Sequence, residues 1–232
     1  MLEIDVVKRL GGFSLEVRAD IAEAGITALV GPSGAGKSTA AKLMAGLLAP
    51  DHGRIAFNGT VFFDSAAGVN IPAERRGIGF VFQEHRLFPH MSVVRNLAYG
   101  SFAGGRRTKA DLLRTAEIFG ISALLDRRPD TLSGGESQRV SLARAILAAE
   151  NFIIMDEPLS SLDEARRDDL MGYIERIPGH FGLPIIYITH SREEVMRLAK
   201  NVILIEEGRV KGRGSPAGLM GRGGSASREC QE

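Results

Sequence analysis

Nine consecutive residues, Gly31-Pro32-Ser33-Gly34-Ala35-Gly36-Lys37-Ser38-Thr39, lie between an apolar run and a helical pattern and combine spaced glycines with a lysine and hydroxyls. Glycines in that setting let the backbone curl round a phosphate, which successive N–H groups and the positive end of a helix starting near Lys37 then solvate. Lys37 reaches the β/γ oxygens of a triphosphate, and Ser38 offers its hydroxyl to magnesium. A second motif, Phe152-Ile153-Ile154-Met155-Asp156-Glu157, ends a buried strand on two acids. A carboxylate there needs a cation or water to sustain its charge. Asp156 is placed to hold magnesium, and Glu157 to orient and polarise the water that attacks a γ-phosphate. His190 closes the apolar run 185–189 and is a candidate γ-phosphate sensor. Residues 191–194, Ser-Arg-Glu-Glu, also read as a capping box, which would make His190 a plain helix-start residue.

A third motif, Leu132-Ser133-Gly134-Gly135-Glu136, opens a helix whose inner face would be Val140, Ala143, Ile146 and Leu147. Ser133 and Glu136 suffice for a capping box. The two glycines after the cap strip the helix N-terminus of side chains and expose its N–H groups to an anion. A chain that already cradles one nucleotide has no use of its own for a second phosphate site, so this one is expected to serve a partner.

Positioning these motifs requires strands that deliver loops to one edge. Short apolar runs alternate with helical patterns, which is how an α/β protein with a largely parallel sheet reads. Core strands are expected over 26–30, 78–82, 152–155, 185–189 and 202–205. Segments 2–7 and 13–19, with a hairpin turning at Asn58-Gly59, predict a small antiparallel sheet beside the main one. No strand is expected between Gln83 and Ala149, where Leu112, Leu113, Ala116 and Phe119 recur at helical spacing. That stretch, roughly 86–149, reads as a helical subdomain. Beyond Gly208 the chain is rich in Gly, Ser and Arg, and a disordered tail is expected over 211–232.

Bulk properties narrow the function classes. A length of 232 residues suits one core with one or two subdomains. Lys and Arg total 29 against 28 acids, so net charge offers no reason to expect nucleic acid or an anionic membrane surface. Cys230 is the sole cysteine, which excludes an intramolecular disulfide and suits a reducing compartment. The acidic start Met1-Leu2-Glu3-Ile4-Asp5 does not read as a secretory signal. The most apolar helical candidate, 40–48, is interrupted by Lys42 and falls far short of the ~20 residues of a membrane span.

Residues 132–136, standing shortly before the Asp156-Glu157 strand, resemble the signature of ATP-binding cassette (ABC) transporters, and the resemblance covers nearly the whole chain. It implies a P-loop NTPase (RecA-like) core carrying a small antiparallel β subdomain and an inserted helical subdomain, an ATPase domain over 1–210, and ATP with Mg2+ as ligands. Gln83 resembles the Q-loop glutamine that senses magnesium and water, Ser160-Ser161-Leu162-Asp163 the D-loop, and His190 the switch histidine. Phe13 stands in for the aromatic that stacks on adenine. In that family two subunits pack head to tail, with ATP between the phosphate loop of one and the signature of the other, so a homodimer is implied.

Arg75-Arg76-Gly77 leading to Gln83, then Leu87-Phe88-Pro89-His90-Met91-Ser92-Val93, is similar to the importer class, which meets its transmembrane permease here. Read without the family, the run is an exposed apolar stretch awaiting a partner or a satellite cluster of the helical subdomain. Gly25-Ile26-Thr27-Ala28-Leu29-Val30, Leu124-Leu125-Asp126-Arg127-Arg128-Pro129 and Leu183-Pro184-Ile185-Ile186 are closest to the ATPases of molybdate importers. Sulfate, phosphate, iron and polyamine importers share much of this pattern. The resemblance thus implies an ATP-hydrolysing subunit, peripheral on the cytoplasmic side of the inner membrane. Its partners would be permease subunits and, indirectly, a substrate-binding protein, with no nucleic acid. A soluble ABC ATPase acting on nucleic acid or ribosomes is the alternative, and the neutral charge and lack of a second cassette oppose it. Ser137 departs from the family's basic or amide residue, and the oxyanion-binding regulatory domain of many molybdate ATPases is expected to be absent.

Overall fold

A computed structural model describes residues 1–22, 24–83, 87–99, 108–160 and 162–220. In chain order the elements are β1 (Leu2–Leu10), β2 (Phe13–Ile21), β3 (Ile26–Val30), α1 (Lys37–Ala45), β4 (His52–Phe57), β5 (Thr60–Asp64), β6 (Val69–Asn70) and β7 (Ile78–Val81). There follow α2 (Val93–Ala98), α3 (Lys109–Ile118), α4 (Gly134–Ala148), β8 (Phe152–Asp156) and α5 (Glu164–Phe181). The chain then forms β9 (Ile185–Ile188), α6 (Arg192–Leu198), β10 (Asn201–Glu206), β11 (Arg209–Gly214) and α7 (Pro216–Met220).

All strands belong to one sheet of order β6-β5-β4-β1-β2-β11-β10-β3-β9-β8-β7. From β10 to β7 the neighbours run parallel, so β3, β9, β8 and β7 deliver their carboxyl ends to the same edge. These strands alternate between two cores. On β8, Ile153 and Met155 join the helical side while Phe152 and Ile154 join the side of α1. On β9, Ile185 and Tyr187 face the helices and Ile186 and Ile188 face α1. Strands buried on both faces read as unbroken apolar runs, which is why sequence located them well.

The antiparallel strands are not a sheet of their own. One parallel pair, Arg209 with Glu16, joins β11 to β2 and makes the whole array continuous. Neither residue is apolar, so no hydropathy pattern announces the junction. The Asn58-Gly59 turn is as expected, both residues taking positive φ (47° and 80°) between β4 and β5.

The expected disordered tail is corrected over its first part: β11 pairs along β10, and α7 follows it. Its alternate residues lie open to solvent and it is held by main-chain bonds, which composition cannot reveal. Residues 221–232, Cys230 among them, lie outside the described residues, as do 86 and 100–107 of the helical subdomain and Ser161 of the expected D-loop. Among the described residues between 83 and 149 there is no strand, and α4 packs on α2, α3, α5 and β7.

Arg76 ties the end of α1 to the chain just after β6, on one side of the sheet. It is fully buried and donates to the carbonyls of Leu43 and Met44 at the end of α1 (2.9 and 2.8 Å) and to Ile71 O (2.8 Å). A cation on a helix C-terminus suits the dipole, and its guanidinium also lies 5.7 Å from the Phe62 ring centroid. Arg76→Met would take the guanidinium from all three carbonyls, leaving Leu43 O only its bond from Gly46 N at 3.2 Å. We expect a loss of about 3 kcal/mol of stability in urea denaturation, whereas an unchanged midpoint would show that water replaces the guanidinium.

Candidate functional site

Gly31 begins the loop after β3 at φ 147°. A Cβ on it would stand 1.9 Å from Ile205 O, so no other residue fits there without moving β10. The loop closes by its own lysine: Lys37 is buried, and Nζ donates to Gly31 O (2.8 Å) and Pro32 O (2.9 Å). Gly36 caps α1 without any side-chain bond, which leaves the first-turn N–H groups free to bind an anion. Ser38 and Thr39 follow within the first turn of the helix. Beside the loop an open groove of about 840 Å³ is lined by Phe13, Pro32, Ser33, Gly34 and Ala35, with Glu206 and Lys211 among the rest of its wall. The Phe13 ring edge lies against the loop, 3.2 Å from where a Gly36 Cβ would be.

Strand β8 brings its acids to this loop across β9. Ser38 Oγ donates to Asp156 Oδ1 at 2.9 Å, although 118 residues separate them. Burial pushes the Asp156 carboxyl above its ordinary value, opposed by the Ser38 bond and reinforced by the Glu157 charge. A half-buried carboxylate beside a hydroxyl, with its charge incompletely solvated, is a donor pair that suits a hard oxygen-seeking cation such as magnesium. Glu157 adopts φ 47°, a conformation costly for a residue with a side chain and concentrated at functional sites. Its N–H donates to Ile188 O (3.0 Å), and its Oε1 lies 3.3 Å from Nδ1 of His190. The register of Asp156 opposite Ile188 sets this up, because the residues just past each strand end are then neighbours.

Gln83 lies exposed two residues beyond β7, the next strand of the edge. The phosphate loop, Gln83, Asp156, Glu157 and His190 therefore issue from the carboxyl ends of four adjacent parallel strands. In open α/β sheets ligands bind at that edge.

Ser133, Gly134 and Gly135 sit in a different setting. Ser133 caps α4 in a reciprocal box: its N–H donates to Glu136 Oε2 (2.7 Å) and its Oγ accepts from Glu136 N (3.3 Å). Hydrogen bonding from the Ser133 main chain, then from its side chain, holds the Glu136 carboxyl below its ordinary value. A Cβ on Gly134 would meet Arg166 at 3.9 Å, which places the motif beside the turn that starts α5. Asp163 caps that helix by accepting from Arg166 N (3.0 Å).

Sequence reading missed several polar residues around the site. The predicted box at 191–194 is only half made: Ser191 Oγ accepts from Glu194 N (3.3 Å), but the Glu194 carboxylate turns to the Tyr187 and Thr189 hydroxyls instead. Gln138 is fully buried and donates to Pro158 O, just after Glu157. The run 87–91 is half-buried rather than bare. Leu87 packs on the core, and Asn96 accepts from Phe88 N (2.8 Å) and donates to Phe88 O and Met91 O. Arg144 lies 5.2 Å from the Phe88 ring centroid. Only Asn96 carried any signal, as an amide within an apolar helical stretch.

A phosphate loop, paired acids and a histidine on the carboxyl edge of a parallel sheet, with a glycine-opened helix N-terminus elsewhere, define an ATP-binding cassette. The chain belongs to the ABC transporter family, whose model matches residues 15–160. It is 46% identical over 223 residues to the molybdenum import ATP-binding protein ModC of Paramagnetospirillum magneticum, covering 95% of this chain. The chain spans 61% of the length of that relative. Among solved structures it is similar to cbiO1 from Clostridium perfringens, part of the ABC transporter complex cbiONQ, at TM-score 0.81 and 27% identity over 95% of this chain and 90% of that one. The ATP-binding cassette MJ0796, solved as a dimer bound to ADP and Pi, shares the fold at TM-score 0.77 and 23% identity, with 93% and 99% of the two chains covered. Among the described residues no helix is long and apolar enough to cross a membrane.

Proposed function

We propose that this chain is the ATP-hydrolysing subunit of an importer for molybdate, working as a homodimer on the cytoplasmic face of the membrane against permease subunits fed by a substrate-binding protein. The observation that carries it is the pairing of Ser38 with Asp156 and of Glu157 with His190 at one sheet edge. Likeness to ModC carries the cargo assignment, since no residue of an ATPase subunit needs to touch the cargo.

In this reading Lys37 leaves its two loop carbonyls to hold the β- and γ-phosphates, and residues 31–39 wrap them with main-chain N–H groups. Phe13, on the groove wall, stacks on the adenine. Ser38 and Asp156, with Gln83, would hold magnesium, which would supply neutralising charge to the phosphates. Glu157 accepts the proton of the attacking water, and His190 fixes the carboxylate in place. Ser133, Gly134 and Gly135 have no phosphate of their own to bind and close on the nucleotide of a second copy. That arrangement makes ATP part of the dimer interface and converts hydrolysis into opening. The apolar run pinned by Asn96 offers Phe88, Pro89 and Met91 to the permease.

The test is co-purification from a membrane fraction with an oxyanion permease. The wild type should retain the permease and Phe88→Asp should release it while still hydrolysing ATP. Elution with RNA or DNA, and with no membrane protein, would place the chain among soluble ABC ATPases instead.

A further inference from the structure

Glu194 is only 4% exposed, and none of the chemistry above uses it. Its Oε2 accepts from the Tyr187 hydroxyl at 2.9 Å and from the Thr189 hydroxyl at 2.7 Å. Arg167 Nε stands 4.0 Å from Oε1. Thr189 Oγ1 in turn accepts from Ser191 N at 3.0 Å. The residues on both sides of His190 are thus bound, directly or at one remove, to a single carboxylate. A carboxylate withdrawn from water is costly unless its lone pairs are filled, and α6 already has its N-cap in Ser191. Capping does not explain the charge.

His190 itself supplies the reason. Its side chain is 65% exposed, so packing does not place the ring 3.3 Å from Glu157; the backbone at 189–191 must. Burial, then the Glu194 charge, push the Tyr187 hydroxyl far above its ordinary value, so Tyr187 keeps its proton and donates to Glu194. Arg167 also donates through Nη2 to Leu162 O at 3.3 Å, in the turn that follows Glu157 and leads into α5. The carboxylate and its arginine therefore connect the two chain segments that carry His190 and Glu157.

We propose that Glu194 is a positioning residue: it holds His190 against Glu157, and Arg167 extends the same brace to the turn at Leu162. The inference rests on the roles given above to Glu157 and His190.

Glu194→Gln keeps the shape but removes the charge facing Arg167, and Thr189→Val removes the hydroxyl at almost constant volume. In the full-length protein each is expected to lower kcat about tenfold while leaving KM for ATP within about twofold. Added to His190→Ala, Glu194→Gln should lower kcat by less than about twofold, because the brace acts through a ring no longer there. Wild-type turnover in Glu194→Gln, losses that multiply with His190→Ala, or a change in KM alone would overturn the proposal. A second readout needs no hydrolysis. The imidazole ¹⁵N resonances of His190 should respond to Glu157→Gln in the wild-type background and lose that response with Glu194→Gln or Thr189→Val. A response that persists in both variants overturns the brace, whereas a wild type that hydrolyses no ATP defeats only the ATPase reading.

Discussion

Glu157→Gln is expected to lower ATP turnover about 10³-fold, within the 10²–10⁴ range of a positioned base, while ATP binding persists. An amide of the same shape keeps the contact with His190 but cannot take the proton of the attacking water. The phosphate loop is untouched, because its bonds run through Lys37, Gly31 and Pro32 and not through Glu157. Steady-state phosphate release alongside a nucleotide-binding titration checks both halves. A fall smaller than about tenfold would assign the base elsewhere.

Lys37→Ala is expected to lower kcat/KM about 10²- to 10³-fold, the loss typical of one preorganised donor aimed at developing charge. It should also weaken ATP binding, in contrast to the change at Glu157. The ammonium is buried and already desolvated, so its attraction to phosphate is not screened as at a surface. Lys37→Arg should rescue little, since a planar guanidinium would have to displace the two carbonyls that now hold Nζ. Titration of a fluorescent ATP analogue separates the two substitutions, and wild-type affinity in Lys37→Ala would remove the lysine from the phosphate site.

What could be read before folding and what could not follows the range of the interactions. The loop at 31–39, the acids closing β8 and the Asn58-Gly59 turn are local chemistry, and each stands where its residue types put it. The buried parallel strands announce themselves because both faces are apolar. The joining of the two sheets through Arg209 and Glu16 has no local cause, and β11 looks like tail because its stabilisation is main-chain pairing. Glu194 shows how a sound local rule loses. The capping box predicts the carboxylate at the Ser191 N–H, but two hydroxyls from the end of β9 and its vicinity offer better-buried partners. Arg76 was legible as part of a motif, yet its part in ending α1 depends on residues more than thirty positions away.

In the proposed dimer, residues 31–38 of one copy and 133–135 of another close on the same nucleotide. The most direct measurement is the mass of the Glu157→Gln protein by light scattering, with and without saturating ATP and magnesium. We predict a monomer without nucleotide and a stable dimer with it, abolished by placing a bulky residue at Gly135. A protein that stays monomeric when saturated with ATP would contradict the shared site.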